Sequence, residues 1–430
     1  MSTELQSETV RHEVGGHDSP IGKQTEPAKR LNFFSARPCA VCRKDDKTLL
    51  YSQRFSTMSS GSLLAGYDVV VCQDCGFCFA DNIPEQRDFD VYYENMSKYA
   101  KSESSGKSTP YEDARYATSA KFIQSLHPPS ELNILEIGCA TGGLLGLLKR
   151  KGYPNVVGID PSAACAETAR RLYGVQVHVA KFSDLTLPEH SFDLIVMTGV
   201  LEHVRDLDQA LLQLTRLLTR HGLLYIAVPD ASRYAEGEDA PFQEFSVEHI
   251  NFFGPGSLTN LMGRHGYDLV SCEQTSVEAN YKTHTPIIQA AYRKRVGGAC
   301  GTALKIDRDT VTGLLLYIKK SVYEDARVQS LVKKVAMEGE SLIVWGTGSQ
   351  ALRLLEGDSL GQIRIHAFVD SNPLYQGKLL RGIRILAPHD LRGMKHPILI
   401  ASRVYQKEIK EYIVSTLSLN NRLIELYDLD

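Results

Sequence analysis

The 430-residue sequence predicts an α/β protein with a central Rossmann-like domain, an N-terminal cysteine-rich module and a smaller, second Rossmann-like domain at its C-terminal end. Three observations predict this architecture. Strand and helix patterns alternate between 111 and about 275, two pairs of cysteines precede them, and the alternation resumes after 338. Such alternation is typical of a mainly parallel sheet with helices on both faces. The chain is also too long for a single core.

The chain divides into four segments by composition. Residues 1–30 are polar and lack periodic apolar positions, so we predict a disordered tail there. Residues 31–100 carry the cysteine pairs and are predicted to bind zinc, and a Ser/Gly/Lys linker follows at 102–110. The central domain is predicted at 111–275. A helical segment and the second Rossmann-like domain are predicted at 276–430.

Composition and charge narrow the class of partner and the compartment. Lys and Arg number 48 against 51 Asp and Glu, which gives a formal net charge of -3 without blocks of like charge. A nucleic-acid partner is therefore not expected. No apolar run approaches the roughly 18 to 20 residues that span a bilayer, and the N-terminus lacks the apolar segment of a signal peptide. We expect a cytoplasmic protein without a membrane partner, of undetermined oligomeric state.

Two C-x2-C pairs lie in the N-terminal module. Cys39 with Cys42 and Cys72 with Cys75 form two knuckles, and four thiolates in that pattern suit a closed, tetrahedral zinc site of structural type. The alternative is a set of core cysteines without a ligand. Cys78 is interpreted as a buried cysteine outside the metal set.

The segment LEIGCATGG at 135–143 predicts the cofactor site, because it runs from a strand through a glycine turn into a helix. A dinucleotide fingerprint would place a glycine at position 140, which is alanine. Glu136 at the end of the strand would repel a pyrophosphate and attract a cation. S-adenosylmethionine carries a sulfonium and an ammonium and no phosphate, so this cofactor is favoured.

Two later segments extend the predicted cofactor site. Asp160 ends the next strand and is expected to accept hydrogen bonds from ribose hydroxyls, with a helix N-cap as the alternative. The adenine is expected to stack near Phe182, beside backbone groups around Ser183. The predicted cofactor-binding residues are Glu136, Gly138, Cys139, Gly142, Asp160, Phe182, Ser183 and Thr198.

LEIGCATGG, GID and FDLIVMTGVLEHV resemble a class I methyltransferase across the central domain. Together with the cysteine knuckles, SVEHINFF, VWGTGSQ and FVDSNPLYQGKLLRGIRI, the chain resembles the sugar C-methyltransferases over about residues 35 to 430. The resemblance implies a zinc-ribbon-like module, a Rossmann-like class I methyltransferase core and a smaller C-terminal Rossmann-like domain. It also implies an EC 2.1.1 enzyme of deoxysugar biosynthesis that methylates carbon in a nucleotide-linked keto-sugar.

The same resemblance implies the catalytic residues. In that family a histidine after the fourth strand lies in the active site, and His203 matches it. A Glu-His pair after the fifth strand supplies acid-base groups, and Glu248 with His249 match that pair. Carbon methylation needs a base for a proton next to a carbonyl and a group facing the enolate oxygen. His249 is predicted to be the base, His203 to face the oxyanion, and Glu248 to orient His249 or bind a sugar hydroxyl.

Aromatic and hydroxyl side chains surround these catalytic residues in the sequence. Ser246 stands where the resembling family usually has a tyrosine. Three tyrosines of the N-terminal module are candidates to replace its hydroxyl or, alternatively, to pack as aromatics: Tyr92, Tyr93 and Tyr99. Phe252 and Phe253 are predicted to anchor the loop that carries His249 and not to contact substrate.

The second glycine turn, VWGTGSQALRLLE at 344–356, is followed by Asp370 at the end of the next strand. This pattern allows dinucleotide binding, but we favour a domain that holds the nucleotide of the substrate or only completes the cleft. Two other functions stay open: an O- or N-methyltransferase acting on a sugar or other small precursor, and a non-catalytic binding protein.

Overall fold

The structure is a computed structural model that describes residues 36–59, 62–95, 108–181, 185–280, 283–295, 303–357 and 359–429. The predicted tail at 1–30 lies outside the described residues, as do most of the linker, Tyr99, Phe182 and Ser183. Within the described ranges, every helix is too short or too polar to cross a membrane.

The N-terminal module is a small antiparallel sheet followed by a helix. Its strands are β1 (Lys47–Arg54), β2 (Gly66–Cys72) and β3 (Cys78–Asp81), and its helix is α1 (Gln86–Asn95). β2 pairs with both neighbours. All four residues of β3 are buried, which indicates that this short strand is covered on both faces.

The central domain contains a seven-stranded sheet. Its elements are α2 (Pro110–Ser125), β4 (Ile134–Ile137), α3 (Gly143–Arg150), β5 (Val156–Asp160), α4 (Ala163–Tyr173), β6 (Gln176–Val179), β7 (Phe192–Thr198), α5 (Leu207–Leu217), β8 (Leu218–Pro229), β9 (Asn251–Phe252), α6 (Pro255–Arg264), β10 (Tyr267–Asn280) and β11 (Thr283–Lys294). The strand order is β10-β11-β8-β7-β4-β5-β6, and β9 belongs to another sheet. β11 runs antiparallel to both β10 and β8, and the other described pairings of this sheet are parallel.

This topology confirms the predicted α/β, Rossmann-like class and locates its crevice. β4 lies between β5 and β7, so the chain order reverses at that strand. Ligands of open α/β sheets bind at the carboxyl ends of the strands beside such a reversal. The segments that follow β4, β5, β7 and β8 therefore meet at one edge of the sheet.

The central domain is longer than the sequence indicated. We predicted its end at 275, whereas β10 and β11 continue the same sheet to Lys294. The hairpin is hard to recognise because exposed and polar residues interrupt the apolar pattern of β10, where Leu269 and Val270 are each 45% exposed. An edge strand of this kind lacks the continuous apolar run of a buried one.

The C-terminal domain begins with a long helix, and a second, six-stranded sheet follows this helix in the chain. Its elements are α7 (Arg308–Met337), β12 (Leu342–Trp345), α8 (Ser349–Glu356), β13 (Ile365–Val369), β14 (Leu379–Leu380), β15 (Ile383–Leu386), β16 (Ile398–Ile400), α9 (Gln406–Glu411) and β17 (Leu423–Glu425). The order is β14-β15-β13-β12-β16-β17, parallel except for β14. The smaller Rossmann-like domain is thus present, with β14 and β15 added to the predicted strands.

The central domain contributes one strand to the sheet of the N-terminal module. β9 pairs antiparallel with β3, with Cys78 opposite Phe252 and Phe79 opposite Asn251. Phe253 stacks on Phe77 with ring centroids 5.3 Å apart. Phe252 and Phe253 are fully buried, so both rings anchor the loop, as the sequence predicted.

Arg37 reinforces this junction from inside the protein. Its guanidinium donates hydrogen bonds to the carbonyl oxygens of Ala80 (2.9 Å) and Ile250 (2.7 Å) and to Asn251 Oδ1 (2.9 Å). Arg37 is only 5% exposed, so its loss would remove charged hydrogen bonds from acceptors that lie inside the protein, although the Ile250 carbonyl would keep the Ala80 N–H as a donor. The arginine therefore joins β3 to the segment that enters β9.

We expect Arg37→Met to destabilise the junction by about 2–4 kcal/mol, because buried acceptors lose charged hydrogen bonds. Thermal unfolding followed by circular dichroism measures the change. Arg87→Met is the matched control, since the Arg87 side chain is 88% exposed. Equal melting temperatures for the two variants would contradict this assignment.

Candidate functional site

Glu136 lies at the crevice with one carboxylate oxygen unsatisfied. The residue is 2% exposed, and Thr198 Oγ1 at the end of β7 donates to its Oε1 at 3.1 Å. Its Oε2 is buried and has no hydrogen-bond partner among the residues that the structure describes. A buried acceptor of this kind costs free energy unless a ligand supplies a donor.

The surroundings of Glu136 disfavour its charged form. Burial raises the pKa of this carboxyl to about 8, against the opposing effects of the Thr198 hydrogen bond and the nearby Arg115 guanidinium. A cation bound at Oε2 would restore the carboxylate. The ammonium or sulfonium of S-adenosylmethionine has the required charge, so the residues present fit this cofactor.

The turn after β4 requires left-handed backbone at Gly138 and is braced by Asp160. Gly138 has a φ of +67°, and a Cβ at this position would lie 2.6 Å from Val200 Cγ2. Ala140, also left-handed at φ +45°, donates its N–H to Asp160 Oδ2 at 2.9 Å. The N-cap of α4 is Ser162, so the simple capping role for Asp160 is wrong. Asp160 holds the turn through Oδ2, and its Oδ1 accepts the Ser162 N–H at 2.9 Å, while its contact with a ribose stays a prediction.

The structure places the other predicted cofactor residues as follows. Gly142 precedes α3 with a φ of +75°. Cys139 is 4% exposed and its N–H is bonded to the Ile159 carbonyl, so it supports the turn. Contact between Cys139 and the cofactor stays a prediction, as do the roles of Phe182 and Ser183.

Arg115 is a residue of this site that sequence reasoning missed. It lies on α2, and a Cβ added at Gly199 would be 2.7 Å from Arg115 Nη2 and 3.6 Å from Glu202 Oε1. The positive charge of the guanidinium also lowers the pKa of Glu136, against the larger effect of burial. Arg115 therefore lies between the cofactor turn and the loop after β7, where it can bind an anionic group such as a carboxylate. Arg115 is the one arginine of α2, and no motif around it indicates a site residue.

The two predicted catalytic histidines meet beside a buried carboxylate. A carboxylate oxygen of Glu202 and one ring nitrogen each of His203 and His249 lie within 4.8 Å of one another. The histidine rings form an edge-on pair with centroids 5.0 Å apart. His203 Nδ1 donates to the Glu248 carbonyl at 3.0 Å, which leaves Nε2 facing Glu202 Oε1 at 3.9 Å. The structure thus brings together two histidines that lie 46 positions apart in the chain.

The predicted pairing of Glu248 with His249 is corrected by the geometry. Glu248 Oε1 accepts a hydrogen bond from the Tyr92 hydroxyl at 3.0 Å. The carboxylate that lies 3.7 Å from His249 Nδ1 is that of Glu244, through its Oε2. Glu248 and His249 lie in an irregular loop with bends, so sequence adjacency did not make Glu248 the orienting group.

Helix α1 of the N-terminal module covers the histidine pair. The Tyr93 ring lies edge-on to His203 with centroids 5.8 Å apart, and its hydroxyl is buried without a hydrogen-bond partner. Gln86 Oε1 anchors the helix by accepting the N–H groups of Arg205 and Asp206, both at 2.9 Å. The module therefore supplies side chains to the site.

Ser246 shapes the loop that carries His249. Its hydroxyl oxygen accepts the N–H groups of Glu248 (3.3 Å) and His249 (3.1 Å), while Tyr67 donates to its carbonyl at 2.9 Å. The C-terminal domain supports the same loop, because Ser349 Oγ accepts the Val247 N–H at 3.3 Å. Ser246 thus holds backbone in place, and the hydroxyls of Tyr92 and Tyr93 occupy the surroundings of the histidines.

The four knuckle cysteines converge on one point. Cys39 Sγ lies 3.5 Å from Cys75 Sγ, and Cys42 Sγ lies 3.3 Å from Cys72 Sγ. All four sulfur atoms are within 4.8 Å of one another. Tetrahedral zinc with Zn–S bonds of about 2.3 Å needs sulfur atoms about 3.8 Å apart, so the residues fit zinc.

The glycine turn of the C-terminal domain is closed by its own aspartate. Asp370 Oδ2 accepts the Thr347 N–H (2.8 Å) and hydroxyl (2.6 Å), and Oδ1 accepts the Asn372 N–H (2.8 Å). The carboxylate predicted from the dinucleotide pattern is thus already engaged three times by the protein.

Two known protein families match separate parts of this chain. The family described as "Methyltransferase domain" matches residues 111–272. These residues form a class I S-adenosylmethionine-dependent methyltransferase domain. The family described as "C2185-like, N-terminal" matches residues 338–425, which cover the second sheet. The methyltransferase domain therefore lies between two further parts of the chain.

Two sequence relatives and one solved structure that are similar to this chain have the names of methyltransferases. The C-methyltransferase NovU of Streptomyces niveus is 26% identical over 261 residues, 59% of this chain and 61% of NovU. A probable S-adenosylmethionine-dependent methyltransferase of Mycobacterium tuberculosis is 29% identical over 145 residues, 33% of this chain and 50% of the relative. A solved S-adenosylmethionine-dependent methyltransferase from Methanosarcina mazei covers 41% of this chain and 98% of its own, at 19% identity and a TM-score of 0.35. The chain thus spans about half to three fifths of these two sequence relatives.

Glu136→Gln is expected to separate stability from cofactor binding. The pKa of Glu136 is raised in the folded protein from 4.5 to about 8, so the folded state holds more protons between these values. The free energy of unfolding should therefore fall as pH rises through that window, by on the order of a few kcal/mol, and the glutamine variant should escape this loss. Melting temperatures of the cofactor-free proteins at pH 5 and pH 9 measure it.

The same variant should bind S-adenosylmethionine about 10–100-fold more weakly by calorimetry, because a charged hydrogen-bond acceptor is lost. Glu131→Gln, on the exposed loop before β4, is the control and should change neither property. Unchanged cofactor affinity in Glu136→Gln would exclude Glu136 from the binding site.

Proposed function

We propose that this protein transfers a methyl group from S-adenosylmethionine to a carbon atom of a nucleotide-linked keto-sugar. The observation that carries the proposal is the pair His203 and His249, which meet beside buried carboxylates at the edge of the methyltransferase sheet. A base and an oxyanion-stabilising group are what methylation next to a carbonyl requires. The C-methyltransferase name of NovU supports the same chemistry.

His249 is the proposed base. Its Nδ1 faces the Glu244 carboxylate, which leaves Nε2 to remove a proton from the carbon next to the substrate carbonyl. The electron pair of that C–H bond forms the enolate, and the ring becomes an imidazolium. When bound, S-adenosylmethionine supplies the electrophilic methyl group, and its transfer to that carbon leaves S-adenosylhomocysteine.

His203 and Tyr93 are the proposed donors to the enolate oxygen. His203 Nδ1 is occupied by the Glu248 carbonyl, so this ring can donate only from Nε2, as an imidazolium stabilised by Glu202. Tyr93 offers a neutral hydroxyl that is buried without a partner at the same place. Donors fixed before the reaction stabilise developing charge without reorganisation.

The sugar would bind between all three parts of the protein. Tyr92 of the N-terminal module hydrogen-bonds Glu248 of the central domain and Tyr375 of the C-terminal domain. A sugar hydroxyl can exchange with such a tyrosine as partner of the carboxylate. In this proposal the nucleotide lies against the C-terminal domain.

Proton exchange tests carbon chemistry directly. We expect the wild-type protein, with S-adenosylhomocysteine bound, to exchange the proton next to the keto group of an accepted sugar nucleotide in deuterated water. With S-adenosylmethionine the same compound should gain the mass of one methyl group. His249→Ala should lower both rates by at least about 10²-fold, because the base is lost.

Substrates for this test come from a panel of nucleotide-linked keto-sugars, with the matching alcohols as controls. Methylation of an alcohol without carbon-proton exchange would replace this proposal with O-methylation. Normal turnover in His249→Ala would remove the base assignment.

We also propose that Cys39, Cys42, Cys72 and Cys75 hold one structural Zn²⁺. The ion would connect the two knuckles and fix the sheet that receives β9. Elemental analysis of the purified chain should give about one zinc per chain. Cys75→Ser should lose the zinc and lower the melting temperature, since closed zinc sites contribute folding free energy.

Cys78→Ser is the matched control for the zinc site. Cys78 is fully buried in the same module, but its thiol is directed at the Gly76 carbonyl and it is outside the four-sulfur cluster. This variant should keep its zinc. Less than about half an equivalent of metal in the wild-type protein would contradict the proposal.

A further inference from the structure

Glu244 has a largely, but not fully, buried carboxylate with no role in the predicted set of catalytic residues. Its side chain is 13% exposed, and its Oε2 lies 3.7 Å from His249 Nδ1. The flanking Phe242 and Phe245 are 3% and 0% exposed. The backbone N–H of Glu244 donates to the Tyr317 hydroxyl of α7 at 2.9 Å, so the C-terminal domain fixes its position.

Among the described residues, His249 is the basic side chain that lies within 4 Å of the Glu244 carboxylate. The pKa of Glu244 is raised to about 8, mainly by burial and in addition by the neighbouring acidic residues Asp239 and Glu202. Lys320 approaches the same region, but its ammonium donates to the carbonyls of Ala235 and Gly237. A proton arriving on His249 would therefore create the positive charge that the Glu244 carboxylate needs.

Glu248, the residue adjacent to His249, makes its hydrogen bonds with other residues. Its Oε1 accepts from Tyr92, and its carbonyl accepts from His203. The distance of 3.7 Å from Glu244 is longer than a hydrogen bond. Catalytic hydrogen bonds are often long without substrate and shorten in the reacting complex.

We propose that Glu244 is the positioning residue of the base: it directs Nδ1 of His249 toward its carboxylate, leaves Nε2 for the substrate proton, and stabilises the imidazolium. This inference rests on the proposed role of His249. The proton moves from the substrate carbon to Nε2, while the proton on Nδ1 stays between the ring and Glu244. The pair divides the work as a histidine and a buried carboxylate do in acyl-transfer triads.

The first test needs no substrate. In the full-length protein labelled with ¹⁵N-histidine, long-range ¹H–¹⁵N spectra report which ring nitrogen carries the proton, and His249→Asn assigns the signals. Wild-type His249 should carry its proton on Nδ1. Glu244→Met, which removes the acceptor but keeps the approximate length, should move it to Nε2, the form that free imidazole side chains prefer, whereas Glu248→Gln should not.

The second test measures turnover on an accepted keto-sugar. Glu244→Gln should lower kcat on the order of 10²-fold, in the range for a disturbed general base, with KM changed less than about threefold. Glu238→Gln is the matched control, because this side chain is 60% exposed and lies six positions away in the same loop. It should keep wild-type kcat. Affinity for S-adenosylmethionine should be unchanged in both variants, which checks that the cofactor domain is folded.

The outcomes separate this inference from the proposed function. If His249 keeps its tautomer in Glu244→Met, or if Glu244→Gln changes KM and not kcat, Glu244 is not the positioning residue. If the wild-type protein methylates no keto-sugar, the proposed function fails, whereas the spectra still decide how His249 is held. Should Gln or Met prevent folding, Glu244→Asp withdraws the carboxylate by one methylene and should give an intermediate loss of kcat. Full activity in Glu244→Asp and a wild-type tautomer would overturn the inference.

Discussion

The pairing of β9 with β3 is the contact on which the arrangement of the site depends. β9 begins two residues after His249, so the loop that carries the proposed base is tied to the sheet of the cysteine module. Arg37 and the stacked phenylalanine rings are buried at this junction. Because strand pairing fixes register, it also fixes which way the side chains before β9 point. The cysteine module thereby acts on the geometry of the methyltransferase site.

Buried carboxylates determine the electrostatics of the crevice. Glu136 and Glu202 are 2% and 3% exposed, and Glu244 is nearly as deeply placed. Burying several acids close together is unfavourable unless each finds a cation or keeps a proton. Arg115 lowers the pKa of Glu136, and the two histidines lie beside Glu202 and Glu244. A cationic ligand and a protonated histidine would both be stabilised by such an environment.

The C-terminal domain supports the site through polar contacts at several positions. Tyr317 holds the backbone of Glu244, Ser349 holds the loop at Val247, and Tyr375 meets Tyr92. Its own glycine turn is occupied by Asp370. These contacts give the domain a structural part in the site, whatever it binds.

The sequence by itself determined the α/β class, the glycine turn with Glu136 and Asp160, and the two cysteine knuckles, because these depend on local periodicity and on residues close in the chain. Through a resemblance of motifs, the sequence also predicted His203 and His249 as catalytic residues. Only the tertiary structure decided that β9 leaves the central domain, that the central sheet extends to Lys294, and that Arg115 and Tyr93 face the site. It also separated Glu248 from His249 and placed Glu244 there instead. Side-chain direction in an irregular loop is set by packing against distant segments, which leaves no period in the sequence.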